Sequence, residues 1–129
     1  MSQKNVELAR RAMESAETFY ELLDEYVVCD FRDYPLPDAA EVEFGRQAVI
    51  DMFRRFWGTF EDYEIDTEDI LDAGASVIVV VTDRGRGKGS GVPLERHFAW
   101  LWTFRKGRLI RIEPHRTKES ALEAAGLSE

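Results

Sequence analysis

Asp30 sits in the run YVVCDF, residues 26–31, among apolar neighbours. A carboxylate buried in such a setting is costly to ionise, and a raised pKa would suit it to act as a general base. The same residue could instead be engaged in a salt bridge, with Arg96 or Arg116 as candidate partners, or lie open at a strand end. Cys29 beside it has no histidine placed by the sequence to activate it, so it makes a poor nucleophile. The two histidines, His97 and His115, each follow a glutamate by two residues, Glu95 and Glu113. Two histidines and a carboxylate form a zinc-type donor set. An exposed or subunit-facing sheet surface accounts for His97, His115 and Glu113 more simply, so no metal is expected. No cofactor is expected.

The stretch RGRGKGSG, residues 84–91, raises nucleotide chemistry and then dismisses it. A P-loop requires G-x-x-x-x-G-K-[ST] between a strand and a helix, but Lys88 is followed by Gly89. A dinucleotide fingerprint requires a helix after its glycines, whereas Pro93 and a strand pattern follow here. The stretch reads as a loose hairpin tip joining two antiparallel strands. A lesser role would have Arg86 and Lys88 meet an anion at a cavity mouth.

With a net charge of −8 the chain is a poor candidate for general nucleic-acid binding. The charge is uneven: residues 84–116 hold nine Arg/Lys against two Glu, while the rest holds eight basic and 23 acidic residues. That asymmetry suits an anionic ligand or the docking of two subunits, or is simply a solvated mixed surface. The 129 residues are predicted to form a single domain with a sizeable core. The apolar run Val77 to Val81 is too short to cross a bilayer. The N-terminus lacks the apolar segment of a signal peptide, and one cysteine allows no internal disulfide. A cytoplasmic location is therefore expected, with neither membrane nor nucleic acid as partner.

The elements that must position these residues follow from periodicity. Helices are predicted over Asn5 to about Ala16 and Thr18 to Asp24. RQAVIDMFRRFWGTF, residues 46–60, is the clearest helix, with Val49, Met52, Phe53, Phe56, Trp57 and Phe60 in one apolar stripe. Strands are predicted over 26–31 and about 62–71, 76–84, 93–104 and 108–116. RDYPLPDAAE, 32–41, reads as a loop because Pro35 and Pro37 break regular structure. A short last helix has Thr117 as N-cap and Gly126 as its stop.

TFRKGRLI fixes a trial register. A three-residue turn at Arg105, Lys106 and Gly107 pairs Phe104 with Arg108, Trp102 with Ile110, Trp100 with Ile112, Phe98 with Pro114 and Arg96 with Arg116. One face then carries Phe98, Trp100, Trp102, Ile110 and Ile112. The other carries Glu95, His97, Ala99, Leu101, Arg111, Glu113 and His115, with His97 opposite His115. A two-residue turn would put Trp102 beside Arg111, so the three-residue turn is preferred. The indole-bearing face covers a core or lines an apolar cavity.

The segments NVELARRAMES, LLDEYVVCDF, GRQAVIDMFRRFW, ILDAGASVIVVV, RGRGKGSGV, WTFRKGRLIRI and ALEAAGL resemble the SnoaL-like branch of the nuclear transport factor 2-like superfamily. The resemblance implies an α+β cone: a curved, mainly antiparallel sheet wrapped around about three helices, with a short C-terminal helix and an apolar pocket inside. It also implies a homodimer through the outer sheet face. The superfamily includes ketosteroid isomerases, polyketide cyclases and epoxide hydrolases. Asp30 matches the isomerases' base, whereas their oxyanion-hole tyrosine and aspartate match Ala12 and Trp100, so the largest electrostatic contribution is missing. The leading reading is a protein that binds a small apolar or aromatic molecule, with Phe98, Trp100, Trp102 and Ile112 as walls, Arg96 and Arg116 near one end, and Asp30 inside. The alternatives are an isomerase, cyclase or lyase using Asp30 as base, and a non-catalytic assembly module whose pocket is filled by its own side chains.

Overall fold

The computed structural model describes residues 2–35 and 40–127; Pro37, in the predicted loop, lies outside the described residues. The fold is α+β. Among the described residues four helices accompany one six-stranded, curved, open sheet. Helix α1 spans Ser2–Ala12 and α2 Ala16–Leu22. They separate because Ser15 caps α2, its Oγ accepting from the Thr18 amide at 3.1 Å. Then come β1 (Leu23–Asp30), β2 (Val42–Phe44), α3 (Arg46–Gly58), β3 (Phe60–Ala73), β4 (Ser76–Gly87), β5 (Pro93–Arg105), β6 (Arg108–His115) and α4 (Lys118–Ala124). The sheet order is β2-β1-β6-β5-β4-β3, with β1 and β6 parallel and the other neighbours antiparallel.

Strand alternation divides the sheet into two apolar faces. Val77, Val79 and Val81 of β4, Phe98 and Trp102 of β5, and Leu109 and Ile112 of β6 pack with α1, α2 and α3 in the main core. Ile78 and Leu101 point to the opposite face, where Ala121 of α4 covers them. The run Val77 to Val81 is unbroken because both faces are sheltered there. Thr117 caps α4 as predicted, its Oγ1 accepting from the Ser120 amide at 3.0 Å. The glycine-rich stretch is a hairpin tip: Gly87 bonds Val92 across it at 3.0 Å, with Gly89 and Gly91 at positive φ.

The trial register is overturned. Arg105 pairs with Arg108 across a two-residue turn in which Lys106 and Gly107 both have positive φ, 52° and 75°. Phe104 pairs with Leu109, but Thr103 pairs with Arg111, leaving Ile110 as an extra residue in a bulge. Trp102 then pairs with Ile112, Trp100 with Pro114 and Ala99 with His115. The tighter turn and the bulge each shift the strands by one, so the net slip is two residues and the indole face keeps its side. Leu109, rather than Ile110, joins the main core. The predicted pairs His97–His115 and Arg96–Arg116 do not form; His97 and Arg96 instead lie opposite Thr82 and Asp83 of β4.

Candidate functional site

Within the curve of the sheet lies a cavity of about 360 Å³. Its floor is β5, where Phe98, Trp100 and Trp102 project at every second position. Phe53, Phe56 and Trp57 of α3 close one side, and the turn from α1 to α2, with Met13, Glu14 and Ala16, forms another. Phe53 stacks on Trp57 with centroids 5.3 Å apart, and Phe98 meets Trp100 edge-on at 5.2 Å. Trp102 is sealed, with its indole Nε1 buried and without a hydrogen-bond partner among the described residues. Trp57 and Trp100 remain partly accessible although both pack against the core.

The polar end of the cavity joins the predicted Arg96 to Asp83 and Tyr63, which nothing in the local sequence singles out. Asp83 shares the inward parity of Val77, Val79 and Val81 and is completely buried. Arg96 lies directly opposite it on β5. The guanidinium Nε donates to Asp83 Oδ1 at 3.0 Å and Nη2 to Oδ2 at 2.6 Å. The Tyr63 hydroxyl donates to the same Oδ2 at 2.7 Å. Burial opposes the Arg96 charge, but the bonds and attraction from Asp83 outweigh it and raise its pKa. Burial and the bond to Asp83 likewise push the Tyr63 phenol up, so its proton stays on. Arg96 also lies over the rings of Phe98, Phe56 and Tyr34, at 4.8, 5.3 and 5.8 Å. The glycine stretch contributes here: a Cβ on Gly85 would come within 3.3 Å of the Tyr63 Cα. Gly85 thus lets the bulged part of β3 approach closely enough to seat Tyr63 beside Asp83.

The remaining predicted site residues lie elsewhere. Asp30 alternates with the inward Cys29 and projects to the outer face, away from the cavity wall. Arg32 grips it through Nε at 2.9 Å and Nη2 at 2.7 Å, and Arg111 through Nη2 at 2.6 Å. The bond to Arg32 is the largest influence on its pKa; burial pushes the other way, and the net value falls to about 2. The salt-bridge reading of Asp30 holds, with Arg32 and Arg111 rather than Arg96 or Arg116 as partners, while the raised pKa and the place inside the chamber are overturned. Ile112 is fully buried in the core and is not on the cavity wall. Arg116 is exposed, with its guanidinium 4.8 Å from the Tyr34 ring centroid. Arg86 pairs with Asp62 at 2.8 Å, outside the main cavity. Burial drives the Cys29 thiol pKa up, which suits a core residue rather than a nucleophile.

The alternative donor set of His97, His115 and Glu113 is not assembled. His97 Nδ1 bonds Thr82 Oγ1 at 2.8 Å. His115 stays near Glu113, with Nε2 3.5 Å from Oε1, and Asp33 takes the place of His97 at 3.7 Å from Nδ1. The other Glu113 oxygen accepts from Arg111 at 2.8 Å.

A cone-shaped α+β sheet enclosing an aromatic chamber defines a class of domain found with many different chemistries. Residues 9–112 match the SnoaL-like domain model, and the chain belongs to that family. No curated protein matches it. Among solved structures it resembles a protein of ketosteroid isomerase-like fold from Catenulispora acidiphila in complex with trimethylamine (17% identity, 94% and 93% of the two chains covered, TM-score 0.70). It also resembles TerC co-crystallised with polyporic acid (15%, 95% and 98%, 0.69). A third neighbour is an LEH-like epoxide hydrolase from M. tuberculosis (16%, 85% and 80%, 0.63). At these identities the likeness is one of fold.

Proposed function

We propose that the protein binds a small apolar or aromatic molecule inside the cone. The observation that carries this reading is the open, aromatic-walled cavity of about 360 Å³, a volume within the usual range for small-molecule sites. An assembly module filled by its own side chains would have no such space. Two of the neighbours hold a small molecule, trimethylamine in one and polyporic acid in the other. The outer surface near β2 supports a homodimer: Tyr26 and Phe44 are 78% and 69% exposed on the side away from the core, next to Val28. The free, buried thiol of Cys29 is compatible with a cytoplasmic location. No helix among the described residues is long and apolar enough to cross a membrane.

The test uses N-phenyl-1-naphthylamine, an uncharged dye that brightens in apolar surroundings. Its fluorescence should rise on binding the wild-type protein. Ala16 lies on the cavity rim and is exposed, so Ala16→Trp should obstruct entry without disturbing the core. The variant should lose affinity by about tenfold or more, roughly 1.4 kcal/mol, at unchanged melting temperature. Equal binding by both proteins would refute the assignment of the site.

A further inference from the structure

An arginine in an aromatic chamber ordinarily suggests an anionic ligand, but the surroundings of Arg96 point to a different class. Asp83 is completely buried and takes the guanidinium side-on through both carboxylate oxygens. The positive charge is therefore matched within the protein. Two of the five guanidinium N–H donors serve Asp83, and among the described residues Nη1 has no hydrogen-bond partner. Glu14 is the one other charged residue on the described wall. Glu14 is exposed on the turn from α1 to α2, so the polar end of the chamber, where Asp83 matches Arg96, is neutral. An anion entering here would bring a further negative charge close to Asp83, with Arg96 already matched and the exposed Arg116, beside the Tyr34 ring, off the described wall. A cation would meet the guanidinium edge, and the rings of Phe98, Phe56 and Tyr34 already carry Arg96 on their faces. An uncharged hydrogen-bond acceptor avoids both costs, because it takes a charge-assisted bond from Nη1 and adds no charge. Building on the ligand-binding reading above, we infer that the chamber selects a flat apolar body carrying a neutral carbonyl-type oxygen, which Arg96 receives while Asp83 cancels its charge.

Three naphthalenes of one shape separate the possibilities: 2-acetonaphthone, 2-naphthoate and 2-naphthylmethylammonium, each titrated into the wild-type protein by calorimetry at neutral pH. The ketone should bind about tenfold or more tightly than either ion. Either ion binding as tightly as the ketone overturns this inference and leaves the ligand-binding reading intact. No binding by any of the three, with the uncharged dye also excluded, overturns both. Asp83→Asn tests the cause, since it keeps the shape and releases the Arg96 charge. In that variant the affinity of naphthoate relative to the ketone should rise about tenfold. An unchanged ratio in the folded variant removes Asp83 from the selectivity and overturns the inference. Should the variant fail to fold, the wild-type series decides the matter.

Discussion

Removing the charge of Asp30 separates a structural ion pair from a catalytic acid. Asp30 is 7% exposed and accepts from Arg32 and Arg111 on the outer sheet face. Its pKa falls from 3.8 to about 2 on folding. At about 1.4 kcal/mol per pH unit, that difference corresponds to roughly 2 kcal/mol of stability at neutral pH. Arg32 is largely exposed, so solvent screening makes this an upper figure. The folded value is depressed, so the contribution is present above 3.8 and is lost as pH falls through about 2; about half of it is gone by pH 3. Asp30→Asn should therefore unfold in urea more easily at pH 7 by up to about 2 kcal/mol, with a melting point lower by up to roughly 10 °C. The gap between variant and wild type should halve by about pH 3 and close as pH falls through about 2. Dye binding at pH 7 should not change, because Asp30 is off the cavity wall. A variant that kept wild-type stability at every pH but lost ligand binding would refute the argument and return Asp30 to the chamber.

Two further outcomes follow from the same geometry. Lys106 holds a φ of 52° in the two-residue turn, a conformation that asparagine tolerates better than lysine. Lys106→Asn should stabilise the fold by roughly 0.5–1 kcal/mol in urea titration; destabilisation would argue against that turn. Phe44 is exposed beside Val28 on the outer face. Phe44→Asp should shift the protein from dimer to monomer in sedimentation, and a wild-type monomer at high concentration would refute the proposed dimer.

What was legible in the sequence depended on whether errors in register could cancel. Rejecting the two-residue turn was sound for an unbroken ladder, since it would have set Trp102 against Arg111. The protein avoids that clash with a bulge at Ile110, and no residue type there announces it. A turn one residue shorter and one extra residue in β6 add to a slip of two, which restores the side of every inward residue beyond the bulge. The indole face was therefore readable, while the histidine pair, which depended on exact partners, was not. Asp30 misled for a related reason. Its apolar neighbours in sequence point to alternate faces, and its neighbours in space, Arg32 and Arg111, include one 81 positions away. Asp83 was open to the same parity reasoning, two residues beyond Val81 on the face of Val77 and Val79. A charged residue at the end of an apolar run reads equally as the place where a strand leaves the core. The partner that makes its burial tolerable, Arg96, becomes visible only once β4 and β5 are in register. In a cone of this kind the apolar wall is encoded in local alternation, and the polar group that faces a ligand is encoded in pairing between strands.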